Sequence, residues 1–193
     1  MLVGKKVVLE EIDPSNIEQM RLWRNDPKLR RYFREYKDIT KDKQVEWYKE
    51  KGNNTNPAHV YFQIMSLGKE TSGHQIYTQQ ERVDNRYLVG CCGGLYLNNL
   101  LKSIEFSIFV APEFQGQGLA KDAMLLLLKY LFEDMNIHKV WGEVYEFNDA
   151  IGFYRKLGFK DEGMLRDNCF KEGKYYNSFM ISMLENEWKE KYK

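Results

Sequence analysis

The stretch Val110-Ala111-Pro112-Glu113-Phe114-Gln115-Gly116-Gln117-Gly118-Leu119-Ala120 constrains the fold more than any other part of the chain. An alternating run over residues 103–110 ends here: Ile104, Phe106, Ile108 and Val110 alternate with Glu105, Ser107 and Phe109. Glycines follow at 116 and 118, and a wide apolar helical pattern begins at Leu119. A strand that turns on glycine straight into a helix belongs to a layered arrangement of helices on a sheet. The turn also has chemistry. The first turn of a helix carries unpartnered N–H groups and the positive end of the helix dipole. Glycines let the backbone close on an anion, so the segment reads as a pyrophosphate cradle. It is not a Walker loop, since no Gly-Lys-Ser/Thr follows, nor the GxGxxG dinucleotide fingerprint. A plain strand-to-helix turn using glycine for geometry is the other reading.

The rest of the chain supplies elements around this unit. Residues 3–11 favour a strand. Asp13-Pro14-Ser15 and Asp26-Pro27 each place a capping acid before a helical proline, predicting short helices to about Arg24 and then through Phe33. Thr40 can cap a helix over 41–51, and Gly52 to Pro57 breaks it. Strands are expected at 60–66, 87–97, 103–110 and 139–145, and the best helix at 119–135. Asn148 caps a further helix ending at Leu157, with Gly158 in the left-handed position. A hairpin closes the chain, with arms 163–170 and 175–184 joined by Lys171-Glu172-Gly173-Lys174. Residues 67–84 are a long polar excursion that reads as a lid, an oligomer contact or disorder. The predicted class is α/β (α+β), one mixed sheet with helices on both faces, and a single domain over 1–193.

Composition narrows the function. Across 193 residues, Lys+Arg is 29 and Asp+Glu is 28, a net charge of +1. A binder of nucleic acid through charge alone needs a marked basic excess, so none is expected. Cys91, Cys92 and Cys169 are an odd count with an adjacent pair, not a disulfide framework, which points to a reducing, cytoplasmic setting. No metal-ligand spacing links them to the scattered His59, His74 and His138, so no metal site is expected. The N-terminus lacks the apolar core of a signal peptide, and no apolar run approaches membrane length.

Two motifs then carry a resemblance. Gln115-x-x-Gly118-x-Ala120 is similar to the Q/R-x-x-G-x-G/A signature of the GNAT superfamily of N-acetyltransferases. Asn148, Ala150, Tyr154 and Gly158-Phe159, in the stretch from Asn148 to Phe159, resemble its N-x-x-A-x-x-x-Y-x-x-x-G-F element, one helix and one strand downstream. Trp23-Arg24-Asn25 and the end from Gly173 through Trp188 resemble the RimJ/RimL-like branch. The resemblance implies the GNAT fold, a mixed central sheet whose parallel strands 103–110 and 139–145 splay apart with acetyl-CoA between them as cosubstrate. Gln115, Gly116, Gln117, Gly118, Leu119 and Ala120 would hold its pyrophosphate through main-chain N–H groups. Phe109 and Val110 would pair with the pantetheine arm, and Asn148 would contact it.

The implied reaction is direct attack of a primary amine on the thioester. A neutral-pH amine must first lose a proton, and Glu105 is the candidate base, directly or through water. It reads equally as a surface carboxylate on an alternating strand. Tyr154 matches the family's general-acid tyrosine, which lies beside the cofactor and protonates the thiolate; the alternative is an aromatic packed on the sheet. No covalent intermediate is expected, which leaves the cysteines as core residues and the histidines as structural or surface residues. Trp23, Arg24, Arg30, Tyr32, Arg34 and Tyr36 form a cationic, aromatic cluster suited to a nucleotide-linked amino sugar, or else a helix pair with arginines in solvent. The leading acceptor is such a small amine, with other small amines (aminoglycosides, polyamines) beside it. The alternatives are a protein N-terminal amine, as in ribosomal-protein enzymes, and a non-catalytic acyl-CoA-binding module. Asn177 stands where related sequences often carry an acid. The resemblance also implies a homodimer as one option, since hairpin and edge-strand pairing is common in the superfamily.

Overall fold

The structure is a computed structural model and describes residues 1–35, 37–68 and 86–193. Residues 69–84 of the polar excursion, with His74, and Tyr36 of the aromatic cluster lie outside these.

The chain opens with β1 (Leu2–Val3) and β2 (Val7–Glu10), joined by a turn in which the Gly4 N–H donates to the Val7 carbonyl. The single strand expected over 3–11 is thus a small hairpin, and the glycine at its turn leaves room for Asp122, whose Oδ2 would stand 2.4 Å from a Cβ there. Asp13 Oδ1 accepts from the Ser15 N–H (2.8 Å), and a 3₁₀ turn leads into α1 (Ile17–Asn25). Asp26 Oδ1 accepts from the Lys28 N–H (2.8 Å) and starts α2 (Pro27–Arg30). This helix stops short of the expected Phe33. The Phe33 carbonyl accepts from Lys171 Nζ (2.8 Å), and the Phe33 ring packs edge-on against Phe109 (5.7 Å), so tertiary contacts pull the segment out of the helix. α3 (Lys41–Trp47) is capped by Thr40 and widens into a π-type turn over Tyr48–Gly52.

β3 (Val60–Ser66), β4 (Tyr87–Asn98) and β5 (Ser103–Val110) follow as an antiparallel meander. Then come α4 (Leu119–Lys129), with a π-type turn over Tyr130–Asp134, β6 (Lys139–Tyr145) and α5 (Ala150–Leu157). Gly158 ends α5 at φ +105°, the left-handed cap the sequence predicts. The hairpin of β7 (Lys160–Lys171) and β8 (Lys174–Leu184) turns on Glu172 and Gly173, both at positive φ. A final helix, α6 (Glu185–Tyr192), was not anticipated. Its signal was present in acids at the first turn and lysines at the last, and Glu187 Oε2 accepts from the Leu184 N–H (2.9 Å).

Among the described residues, eight strands form one sheet in the order β1-β2-β3-β4-β5-β6-β8-β7. Every neighbouring pair is antiparallel except β5 and β6, which run parallel. This is the mixed sheet that the resemblance implies. The core lies largely between the sheet and α4, where Ala123, Met124, Leu127, Leu128 and Leu131 are fully buried.

Candidate active site

The parallel pair defines the site. β5 and β6 are in register only at Ser103–Lys139, Ile104–Val140 and Glu105–Trp141. Beyond Glu105 no pairs join the two strands, so the β5 edge from Phe106 to Val110 lacks a strand partner on that side among the described residues. The separation starts where the Phe106 ring lies over Gly142; a Cβ there would stand 2.4 Å from Phe106 Cε1. The gap opens into a cleft of about 810 Å³.

At one end of the cleft the cradle is built as its residue types require. Gly116 and Gly118 sit at φ +78° and +79°, a region that L side chains rarely adopt. Gly118 is the N-cap of α4 and no side chain caps that end, which leaves first-turn N–H groups for an anion. Gln115 does not spend its side chain on a ligand: Nε2 donates to the Val110 carbonyl (3.0 Å) and pins the turn to the strand end. Phe109, Val110, Gln115, Gly116, Gly118, Leu119, Ala120, Asn148, Tyr154 and Glu105 all border the cleft. Gln117 is not among the residues bordering it, and its carbonyl accepts from Lys6 Nζ (2.6 Å). Asn148 Oδ1 accepts from the Ala150 N–H (3.0 Å) at the start of α5. Open N–H groups, left-handed glycines and an unpaired strand edge fit a phosphate followed by an amide-bearing arm. Tyr154 is 8% exposed and packs on Phe106 (4.9 Å) and Phe159 (5.9 Å). Burial pushes its phenol pKa well above the ordinary value, so it stays protonated.

On the other face of β5, Glu105 and Phe109 point toward the segment after α2. Arg34 grips Glu105 with both arms, Nη2 to Oε1 at 2.6 Å and Nη1 to Oε2 at 3.2 Å. Arg34 Nη2 also donates to Glu143 Oε2 (3.0 Å), and Asn168 Nδ2 donates to Glu143 Oε1 (2.8 Å). The carboxylate side chains are only 10% and 13% exposed, the Arg34 side chain 50%. Burial works against the Arg34 charge, but Glu105 and then Glu143 outweigh it and hold its pKa above an ordinary arginine's. Glu105 therefore lies in the cleft wall, with both oxygens engaged by a cation. Glu143 was missed in the sequence. Its signal was the alternation of Trp141, Glu143 and Tyr145 along β6, which parallel pairing carries to the same face as Glu105.

The remaining cluster is mostly structural. Trp23 is buried, and its Nε1 donates to Glu113 Oε1 (2.8 Å). Arg24 pairs with Glu35 (2.7 Å) and Arg30 with Asp38. Tyr32 stacks on Phe147 (6.1 Å). Asn177 ties the hairpin together, accepting from the Asp167 N–H (3.0 Å) and donating to Glu146 Oε2 (2.8 Å). All three cysteines are buried and unbridged, and burial pushes the Cys91 thiol up to about 12. His59 is buried, its pKa lowered by that burial, and His138 is exposed. Among the described residues no group of three or more His, Cys, Asp or Glu could hold a metal ion, and no helix is long and apolar enough to cross a membrane.

Gln44 of α3 also borders the cleft, is 1% exposed, and has neither carboxamide atom hydrogen-bonded among the described residues. Nothing in the helical pattern of 41–51 marks it. A buried, unanswered amide costs about 1–3 kcal/mol, so Gln44→Met is expected to raise the melting temperature by about 2–4 °C in the free protein. Calorimetry that finds a lower midpoint would mean the amide is answered in solution.

A family model described as an acetyltransferase (GNAT) domain matches residues 6–160. The spermidine N(1)-acetyltransferase of Escherichia coli (strain K12) is 36% identical over 121 residues, covering 58% of this chain and 63% of that protein. A putative ribosomal N-acetyltransferase of Bacillus subtilis (strain 168), YdaF, is 29% identical over 101 residues, covering 50% of this chain and 55% of that one. The chain thus spans less than two thirds of the length of these relatives. A crystal structure of spermidine N-acetyltransferase from Vibrio cholerae, in complex with CoA and spermine, superposes with a TM-score of 0.79 at 23% identity, over 94% of this chain and 97% of that one. At that identity the likeness establishes the fold.

Proposed function

Since the chain belongs to the GNAT acetyltransferase family, we propose that it is an N-acetyltransferase that moves an acetyl group from acetyl-CoA to a primary amine by direct attack, with an aliphatic polyamine as acceptor. The observation that carries the acceptor is the pair Glu105 and Glu143, two shielded carboxylates sharing one guanidinium. An acid-rich wall favours a polycation. A nucleotide-linked amino sugar, the acceptor favoured from the sequence, needs cations ready for its diphosphate. Here Arg24, Arg30, Arg31 and Arg34 are each already paired with carboxylates, and the relatives named for spermidine turn the reading the same way. Sequence relatives of both spermidine and putative ribosomal type give no preference for the RimJ/RimL-like branch.

The residues divide the work as follows. The N–H groups from Gly118 to Ala120 hold the pyrophosphate, and the free edge of β5 at Phe109 and Val110 pairs with the pantetheine arm. A main-chain N–H of that edge polarises the thioester carbonyl. Glu105, once released by Arg34, takes the proton of the attacking amine. As the N–C bond forms and the C–S bond breaks, the Tyr154 hydroxyl gives its proton to the departing sulfur.

CoA release is measured with spermidine, spermine, a nucleotide-linked amino sugar and peptides with free N-termini. Polyamines are expected to turn over fastest. Peptides turning over faster would favour the ribosomal type of relative instead. Saturating acetyl-CoA at about 100 times its Kd adds about 2.7 kcal/mol of stability, or about 5–10 °C in midpoint. A rise of that size without CoA release from any amine would identify a non-catalytic binding module.

A further inference from the structure

Both oxygens of Glu105 are engaged by Arg34, and a carboxylate so held cannot take a proton from an amine. We propose that Glu143 and Asn168, beside Glu105, form a subsite for a non-reacting ammonium of the acceptor, and that Arg34 is its resident counter-cation, displaced when the acceptor binds. This rests on the polyamine reading above and explains what selects that class.

The charges make the argument. Two shielded carboxylates face one another across the splay and need a cation between them. If Arg34 leaves, something positive must take its place. The attacking amine cannot do so, because it must be neutral when it attacks. The replacement charge must come from a second amine that stays protonated. A monoamine cannot supply it; a diamine or polyamine can. Once the exchange is made, Glu143, held in place by Asn168, keeps the second ammonium, and Glu105 recovers its lone pairs for the reacting one.

The geometry permits the exchange. Arg34 lies in the irregular segment between α2 and α3, and its side chain is half exposed, so it can swing to solvent without breaking a helix or strand bond. The tethers of that segment, Lys171 Nζ to the Phe33 carbonyl (2.8 Å) and to the Glu35 carbonyl (3.3 Å), hold the backbone and not the guanidinium.

The test compares KM for spermidine with KM for butylamine in the wild-type chain and in Arg34→Gln. Removing the internal competitor is expected to lower the ratio of the two constants, spermidine to butylamine, about tenfold. Glu143→Gln is expected to raise that ratio by a similar factor with kcat for spermidine changed far less than KM. An Arg34→Gln ratio that is unchanged or raised overturns the exchange. If Arg34→Gln does not fold, Arg34→Lys serves, since lysine lacks the fork that spans both carboxylates; its ratio should also fall, and one at or above the wild-type value overturns the proposal. A wild-type chain that ignores spermidine overturns both this proposal and the acceptor reading. One that acetylates spermidine but shows no shift in either Arg34 variant overturns the exchange alone.

Discussion

Replacing Tyr154 with phenylalanine is expected to lower kcat about a hundredfold and to leave acetyl-CoA affinity within about twofold. The ring packs on Phe106 and Phe159, and phenylalanine keeps those contacts, so the fold and the cleft wall survive. Only the hydroxyl is lost. Burial raises the pKa of that hydroxyl, so it remains a proton donor throughout the neutral range and past pH ~10, where an ordinary phenol ionises. A positioned proton donor contributes about 10²–10⁴-fold, and the lower end suits a thiolate, which is a tolerable leaving group without help. Steady-state kinetics, paired with calorimetric titration of acetyl-CoA, separates the two quantities. An unchanged kcat would remove Tyr154 from the chemistry and leave it as an aromatic packed on the sheet.

Gly118→Val is expected to raise KM for acetyl-CoA at least about tenfold. Gly118 caps α4 at φ +79°, and a β-branched residue held there costs about 1–3 kcal/mol. The chain can relieve that strain only by rotating the peptide units whose N–H groups are proposed to hold the phosphate. The new Cβ would also stand 3.1 Å from Lys6 Nζ, which donates to the Gln117 carbonyl at the same turn. Relaxation therefore loosens the cradle, while the rest of α4 stays anchored by its buried face. Asp122 Oδ2, which accepts from the N–H groups of Lys6 (2.7 Å) and Val7 (3.0 Å), holds the helix to β2 independently of the cap. A variant whose midpoint rises with acetyl-CoA as much as the wild type's would place the pyrophosphate elsewhere.

Much of this architecture could be read along the chain because it depends on local rules. The acid-proline pairs at 13–14 and 26–27 start helical turns, Gly158 ends a helix, and alternation assigns each side chain of β5 to a face. The elements that escaped were those decided by contacts distant in sequence. α2 ends at Arg30, and the segment beyond it is held instead by Lys171 on the Phe33 carbonyl and by the Phe33 ring on Phe109. The opening strand folds back on itself at Gly4. α6 follows β8 without any break, so its pattern merges with the hairpin arm.

The sequence alone was enough to recognise the family and to read the glycine turn at the start of α4, where the cofactor is proposed to bind. That turn is a continuous piece of backbone, and its left-handed glycines and helix start are set by neighbouring residues. The acceptor end was a matter for the tertiary structure. Arg34, Glu105, Glu143 and Asn168 come from four separate segments, and nothing in their spacing along the chain brings two carboxylates to one guanidinium. Parallel pairing of β5 with β6 sets the carboxylates side by side, and the early end of α2 swings Arg34 across them. The charge balance that follows, on which the proposed polycationic acceptor rests, is a property of the folded arrangement.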